Sequence, residues 1–158
     1  MIKNKITILI FSVLISQIAG VIGAVLNFSS LGAWYENLDK PFFTPPGWVF
    51  GPVWIFLFSL IGVSFYLILI SEAKKEYKMT AIAIFFLQWL LNILWSFMFF
   101  TLRNPFYGLL EISALLASII VMISIFWKIN RVSAYLLVPY LFWVSFALIL
   151  NFSIWRMN

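Results

Sequence analysis

Two sets of side chains in this sequence repeat at intervals that put polar and aromatic groups on a common helix face. Gln88, Asn92, Trp95 and Phe99 follow one another at four, three and four residues, and Trp143, Ala147 and Asn151 at four and four, so each set forms a single stripe on its helix. Amides and indoles in that arrangement can hold a flat aromatic molecule: stacking and apolar burial supply most of the affinity, and Gln88 or Asn92 fixes its orientation. The same amides can equally serve as interhelical ties, worth on the order of 0.6–2 kcal/mol each in a membrane. Of the eight tryptophans, Trp89, Trp127 and Trp155 are accounted for by interfacial anchoring or packing. Trp34, Trp48, Trp54, Trp95 and Trp143 are the ones placed to surround such a ligand.

Glu111 is the single acid inside an apolar stretch, about 7 Å below the Phe106 end by helical rise. An intramembrane carboxylate is a functional candidate by default; the competing reading is a pair with Arg103 or a contact to the loop backbone at that end. Histidine and cysteine are both absent. That removes the usual zinc, iron–sulfur and redox-disulfide sites and the commonest general base, and with them triad hydrolases and thiol enzymes. No metal site and no required cofactor are expected.

The elements that must position these groups follow from composition. Of 158 residues, 65% are apolar and 9% charged, far from the roughly 45–50% and 25% of a soluble domain. Continuous apolar runs predict an all-α integral membrane protein, a single domain over 1–158, with five spans at 6–26, 49–70, 79–102, 106–127 and 134–155. Barrel strands would alternate over about 10 residues instead. Seven Lys and Arg (Lys3, Lys5, Lys74, Lys75, Lys78, Lys128, Arg131) fall on the N-terminal side and three (Lys40, Arg103, Arg156) on the other, which predicts N-in/C-out. The net charge of +5 then sets topology and attracts anionic lipid. No basic face suited to nucleic acid is visible.

The first connection, 27–48, carries Gly32, Trp34, Tyr35, Pro41, Pro45, Pro46 and Gly47. So many rigid and aromatic residues predict a structured lid folded over the bundle; an aromatic anchor seating the second span is the alternative. Small residues at Ala19, Gly20, Gly23 and Ala24, and at Ala114, Ala117 and Ser118, predict close approach of a helix or a flat ligand, or a dimer seam. Gly51-Pro52 and Pro139 are expected to interrupt the hydrogen-bond ladders of their helices.

The run from Trp34 to Pro41 (WYENLDKP), followed by Pro45 to Trp54 (PPGWVFGPVW), resembles the signature of the translocator protein family, also called tryptophan-rich sensory proteins. Gln88 to Trp95 with Phe99-Phe100, and Pro139 to Trp143 through Asn151 to Trp155-Arg156, are similar to that family's other marks. The resemblance covers nearly the whole chain. It implies a five-helix bundle that binds porphyrins, and in some members sterols and synthetic aromatic drugs, in a cavity closed by the first loop, with Trp34, Tyr35, Trp48, Trp54, Gln88, Asn92, Trp95, Trp143 and Ala147 as ligand-binding residues. It also implies a membrane homodimer, and the Ile/Lys/Asn/Phe-rich usage points to a bacterial cell membrane.

Some members of that family are associated with light-dependent porphyrin breakdown. If this chain shares it, Trp54 and Trp143 are the catalytic candidates, as indoles beside a photoexcited ring, while pigment and oxygen supply the chemistry. The ring's propionates suit a loop carrying Lys40. Without His or Cys, strong axial ligation of haem iron is not expected, so a metal-free porphyrin held by stacking is the preferred ligand. Carriage of porphyrins or lipids, and sensing through a protein partner, are the alternative functions. Sterol recognition ranks lower because Phe152 stands where the sterol-linked pattern, here with Leu150 and Arg156, requires Tyr.

Overall fold

A computed structural model describes residues 2–158, with side chains from Asn4 onward; Lys3, one of the cations counted for orientation, lies outside the described side chains. Five stretches are long and apolar enough to cross a bilayer: Asn4–Tyr35, Gly47–Leu69, Lys75–Thr101, Pro105–Ile129 and Arg131–Met157. Backbone polar groups in hydrocarbon must be satisfied within their own segment, and helices do this. Helix α1 covers Ile2–Ser30 and continues as a π-helical turn, Leu31–Tyr35; α2 covers Gly47–Leu69. Helix α3, Lys75–Ser96, likewise continues as a π-helical turn, Phe97–Thr101; α4 covers Pro105–Ile129. The fifth span is two helices, α5 (Arg131–Leu136) and α6 (Val138–Met157).

Their ends follow from local chemistry. The Asn104 side chain accepts hydrogen bonds from the backbone N–H of Phe106 (3.0 Å) and Tyr107 (3.1 Å), with Pro105 in the first turn, where its missing N–H costs nothing. Asn130 caps α5 by accepting from Ser133 N–H at 3.1 Å. The α2 C-terminus is closed by Lys78 Nζ, which donates to the Leu69 carbonyl at 3.1 Å. The fifth span breaks at Leu137, two residues before Pro139, because proline has no N–H to continue the ladder. Pro52 lies inside α2 without ending it.

Helix α1 packs against α2 and α3, α4 lies between α3 and α6, and α2 meets α5 far more extensively than α6. Polar ties fix these pairs. Ser64 and Ser133 exchange hydroxyl-to-carbonyl hydrogen bonds of 2.8 Å between α2 and α5. Gln17 Nε2 on α1 donates to the Ile55 carbonyl and to Ser59 Oγ of α2, both at 3.0 Å, and Trp89 Nε1 on α3 donates to the Ile15 carbonyl of α1 at 2.8 Å.

Of the glycines, Gly62 has the tightest neighbour: an added Cβ would lie 2.6 Å from Val13 Cα. Of the small residues expected to allow such approach, Ala19 is fully buried, Gly20 sits under the Phe58 ring and Gly23 under Ser96, and Ser118 is buried. Ala24, Ala114 and Ala117 face outward. The main core runs along α2, α3, α4 and α6 and includes a stacked Phe65–Phe85 pair with centroids 3.8 Å apart.

Two boundaries differ from the sequence expectation in a way that matters for the site. Helix α1 and its π-turn extend through Tyr35, so the connection expected at 27–48 is confined to residues 36–46. The connection is expected from residue 27, where the first apolar span ends, yet Ser30 Oγ donates to the Phe100 carbonyl at 2.6 Å and so ties this end of α1 to the π-turn after α3. The third span starts earlier than expected and the fourth ends later, with Lys75, Glu76 and Lys128 inside the helices, while α2 runs over Gly47–Leu69 against the expected 49–70.

Candidate ligand-binding site

Both π-turns lie at the loop end of the bundle, and the extra residue each inserts turns aromatic side chains toward the other. Trp34, on the α1 turn, meets Phe99 edge-on at 5.5 Å and Phe100 at 6.4 Å, and Tyr35 lies 5.5 Å from Phe100. Trp95 stacks on Phe99 at 5.6 Å. Trp34 and Tyr35 therefore reach the bundle from a helix end and not from a loop.

The 36–46 segment is fastened to this cluster. Leu38 and Phe43 pack on it, with Phe43 edge-on to Phe146 at 6.3 Å. Asp39 and Asn158 form a reciprocal pair: Asp39 N–H donates to Asn158 Oδ1 and Asn158 Nδ2 to the Asp39 carbonyl, both at 3.0 Å. Lys40 Nζ donates to the carbonyls of Tyr35 (2.7 Å), Glu36 (3.0 Å) and Leu38 (2.8 Å) and sits 4.9 Å from the Tyr35 ring centroid. An ammonium has three donors, so all are committed to the chain itself. This corrects the expectation that Lys40 is available to ligand carboxylates: it terminates the first helix.

Deeper in the bundle, the two polar stripes pair across α3 and α6. Asn92 Nδ2 donates to Tyr140 Oη at 3.1 Å, and the Tyr140 hydroxyl donates to Gln88 Oε1 at 3.0 Å. Trp95 Nε1 donates to Asn151 Oδ1 at 3.1 Å, while Asn151 Nδ2 donates to the Pro105 carbonyl at 2.8 Å. Asn151 is thus a tie between α3, α4 and α6. Gln88 and Tyr140 are fully buried, and Gln88 Nε2 has no partner. A buried amide donor without an acceptor is costly, and it marks a place where an acceptor belongs.

Around this relay the indoles gather unequally. Trp54 stacks on Phe58 at 5.4 Å and meets Tyr140 edge-on at 6.3 Å. Trp143 lies 5.8 Å from Phe50 and 5.6 Å from Phe146. Ala147, one turn on, is buried beneath it in the core. Trp48 does not join them: it is 77% exposed. Six residues at about 100° each place it about 120° from Trp54; the inward position on that turn is Phe50, which shares the Trp54 face.

The rings fill this level with one another. Two cavities are described among these residues, and of the five indoles expected around one chamber only Trp34 lines either. The first, about 370 Å³, is bounded by Trp34, Arg103, Phe106 and Trp155 at the loop end. The second, about 430 Å³, lies beside Glu111 on the outside of α3 and α4. The expected pairing of Glu111 with Arg103 is not formed. Arg103 adopts φ 51°, the left-handed region, as the chain leaves the π-turn, and its Nε reaches back to Ser30 Oγ on α1 at 3.4 Å.

Tyr140, which links Asn92 to Gln88, is the member of this relay not singled out from the sequence. It continues the Trp143, Ala147, Asn151 stripe three residues upstream, so helical spacing alone was sufficient to find it.

A profile of the TspO/MBR family matches residues 12–156. This chain belongs to the TspO/MBR family. It is 40% identical over 150 residues to the tryptophan-rich protein TspO of Archaeoglobus fulgidus, covering 95% of this chain and 96% of that one. Over 139 residues it is 36% identical to the TspO of Chlorobaculum tepidum, 88% of each chain. To the human translocator protein it is 32% identical, over 79% of this chain and 75% of the human one. With five spans and this family, the protein is an integral multi-pass membrane protein. TspO/MBR membership supports a membrane ligand-binding or sensory role.

Proposed function

We propose that this TspO/MBR chain binds a flat, porphyrin-type aromatic ligand at the level of Trp54, Tyr140 and Trp143, oriented by the Gln88 amide. The observation that carries the reading is Gln88 Nε2, a fully buried donor without an acceptor, beside an aromatic wall. A tetrapyrrole matches that environment: it has a broad apolar face and acceptor atoms to meet a lone donor. Space comes from the way α2 packs, since its backbone is close to α5 and far less engaged with α6. Between α2 and α6 the gap is filled by side chains, Phe50 and Trp54 against Trp143 and Tyr140. Rings rotate about χ angles; helices held backbone to backbone do not.

Entry on the loop side requires residues 36–46 to lift, which releases the Lys40 and Asn158 contacts. On this reading the loop works as a lid and Trp34 and Tyr35 form its helical hinge. The test is a tryptophan-fluorescence titration with free-base protoporphyrin in detergent, repeated for Trp54→Phe and Trp143→Phe and with iron protoporphyrin. Saturable quenching at fixed stoichiometry, weakened by either substitution, supports the proposal. Linear quenching in all three proteins, or a strong iron preference with an axial-ligand absorption shift, refutes it.

A further inference from the structure

Arg103 lines the cavity of about 370 Å³ at the loop end, together with Trp34, Leu38, Phe106, Trp155 and Asn158, and the aromatic site does not use it. Among the described residues it is the one residue other than glycine with a positive φ, at 51°. A side chain is held in that region at a cost, and such positions gather at functional sites. The guanidinium is tethered at one edge: Nε donates to Ser30 Oγ at 3.4 Å, while the proton of that hydroxyl goes to the Phe100 carbonyl at 2.6 Å. Among the described residues this is the only hydrogen bond of the Arg103 side chain, and no carboxylate pairs with it. The four N–H donors on its two Nη atoms are therefore left over, and the side chain is exposed, so a ligand can reach them. Backbone donors do not compete, because the first N–H groups of α4, at Phe106 and Tyr107, are capped by Asn104.

We propose that this pocket seats the head group of an anionic phospholipid, with the phosphate on the Nη fork of Arg103. Two parallel N–H donors of a guanidinium match two oxygens of one phosphate. No acid lines the pocket to pair with a lipid ammonium, so a hydroxyl-bearing head group such as glycerol is favoured over choline. The walls come from helix ends: the π-turn after α1, the start of α4 and the last turn of α6. That is the head-group level of a bilayer, where indoles such as Trp34 and Trp155 settle. An acyl chain has a way out along an aromatic edge. Phe106 and Trp155 are 5.4 Å apart and Trp155 and Phe152 5.9 Å, with Phe106 and Phe152 40% and 47% exposed. Phe152 precedes Trp155 by three residues on α6 and so lies about 4.5 Å deeper by helical rise, which leads this edge from the pocket into hydrocarbon. The volume is at the small end of the roughly 300–1,000 Å³ of ligand pockets. It suits a head group and not a whole tetrapyrrole, so the site is independent of what binds at the aromatic level.

The test uses the full chain in phosphatidylcholine nanodiscs doped with one of two photoactivatable probes, phosphatidylglycerol or phosphatidylcholine, with identical acyl chains carrying a diazirine near the glycerol. Cross-links are mapped by mass spectrometry to the segments 103–107 and 152–158. Phosphatidylglycerol is expected to label them saturably and more strongly than phosphatidylcholine. Arg103→Gly is expected to reduce phosphatidylglycerol labelling about five- to twentyfold, the range for one guanidinium–phosphate contact at a wet membrane surface, and to leave phosphatidylcholine labelling unchanged. Glycine adopts a φ of 51° without strain, so this variant is expected to unfold at about the same temperature, and its loss of labelling then reports the guanidinium and not the fold. Arg103→Lys keeps the charge without the fork and is expected to fall between the two. Arg156→Gln removes an exposed cation of the same end that does not line the pocket and is expected to change nothing. Equal labelling by the two lipids, unchanged labelling in Arg103→Gly, or an equal loss in Arg156→Gln overturns the proposal. Complete displacement by glycerol 1-phosphate at a concentration equal to the probe's also overturns it, and makes the pocket a site for a soluble phosphate ester.

Discussion

Replacing Gln88 with Met removes the donor on which ligand orientation is proposed to rest while keeping side-chain length and shape. In the ligand-free protein, Gln88→Met eliminates the orphan Nε2 but also the acceptor that the Tyr140 hydroxyl uses at 3.0 Å. One unsatisfied donor is exchanged for another, so stability falls only by the lost bond, about 0.5–1.5 kcal/mol. Ligand affinity falls by what satisfying Nε2 adds on binding, about 1–2 kcal/mol, or roughly five- to thirtyfold in Kd. A triple variant, Gln88→Met with Asn92→Leu and Tyr140→Phe, removes the relay whole. Both partners of each bond are then apolar, so stability returns to near that of the starting protein, while affinity stays low. Thermal unfolding in detergent and protoporphyrin titration measure the two quantities separately. An unchanged Kd in Gln88→Met, together with lost stability in the triple variant, would refute the reasoning and make the relay an interhelical tie alone.

Lys40→Met removes three hydrogen bonds to the end of the first helix and is expected to cost about 1–2 kcal/mol of stability; stopped-flow quenching should show faster porphyrin entry, and an unchanged association rate argues against a gating loop. Gly62→Ala places a methyl group 2.6 Å from Val13 Cα, so α1 and α2 must separate, at about 1–3 kcal/mol; an unaltered unfolding temperature contradicts that packing. Under aerobic illumination the protein is expected to accelerate protoporphyrin degradation, and Trp54→Phe/Trp143→Phe to abolish the acceleration. A decay rate that is the same with and without protein removes the photochemical role from these two indoles.

The five spans were legible because each is a continuous apolar run, and in a bilayer such a run has one way to satisfy its backbone. Helical spacing also identified the stripes on α3 and α6, since Gln88, Asn92, Trp95 and Asn151 do meet across those helices. What was not legible depends on register within a turn or on groups brought together from afar. No local pattern distinguishes a π-helical turn from a loop at 31–35, because that turn is stabilised from outside by Phe99, Phe100 and Lys40. Trp48 carries the family's motif yet points outward, because α2 starts one residue before it and Phe50 takes the inward position. Arg103 and Glu111 are two turns apart and of opposite charge, but a left-handed residue at the helix junction sends the guanidinium toward α1.

The aromatic level raises a separate question, because rings that touch one another leave no room for a ligand. Trp54 on Phe58, Trp143 on Phe50 and Trp95 on Phe99 each gain about 0.5–1.5 kcal/mol from ring contact beyond burial. A stacked ligand must replace some of these contacts with its own, so affinity is the difference between two similar sums and depends on the polar group that only the ligand satisfies. On the proposed function, Gln88 Nε2 is then the specificity element and the indoles an exchangeable lining. It follows that changing one indole to Phe should weaken binding less than removing the amide, although the indole contributes far more contact area. The order of these two effects, measured in one titration series, separates an oriented site from a merely greasy one.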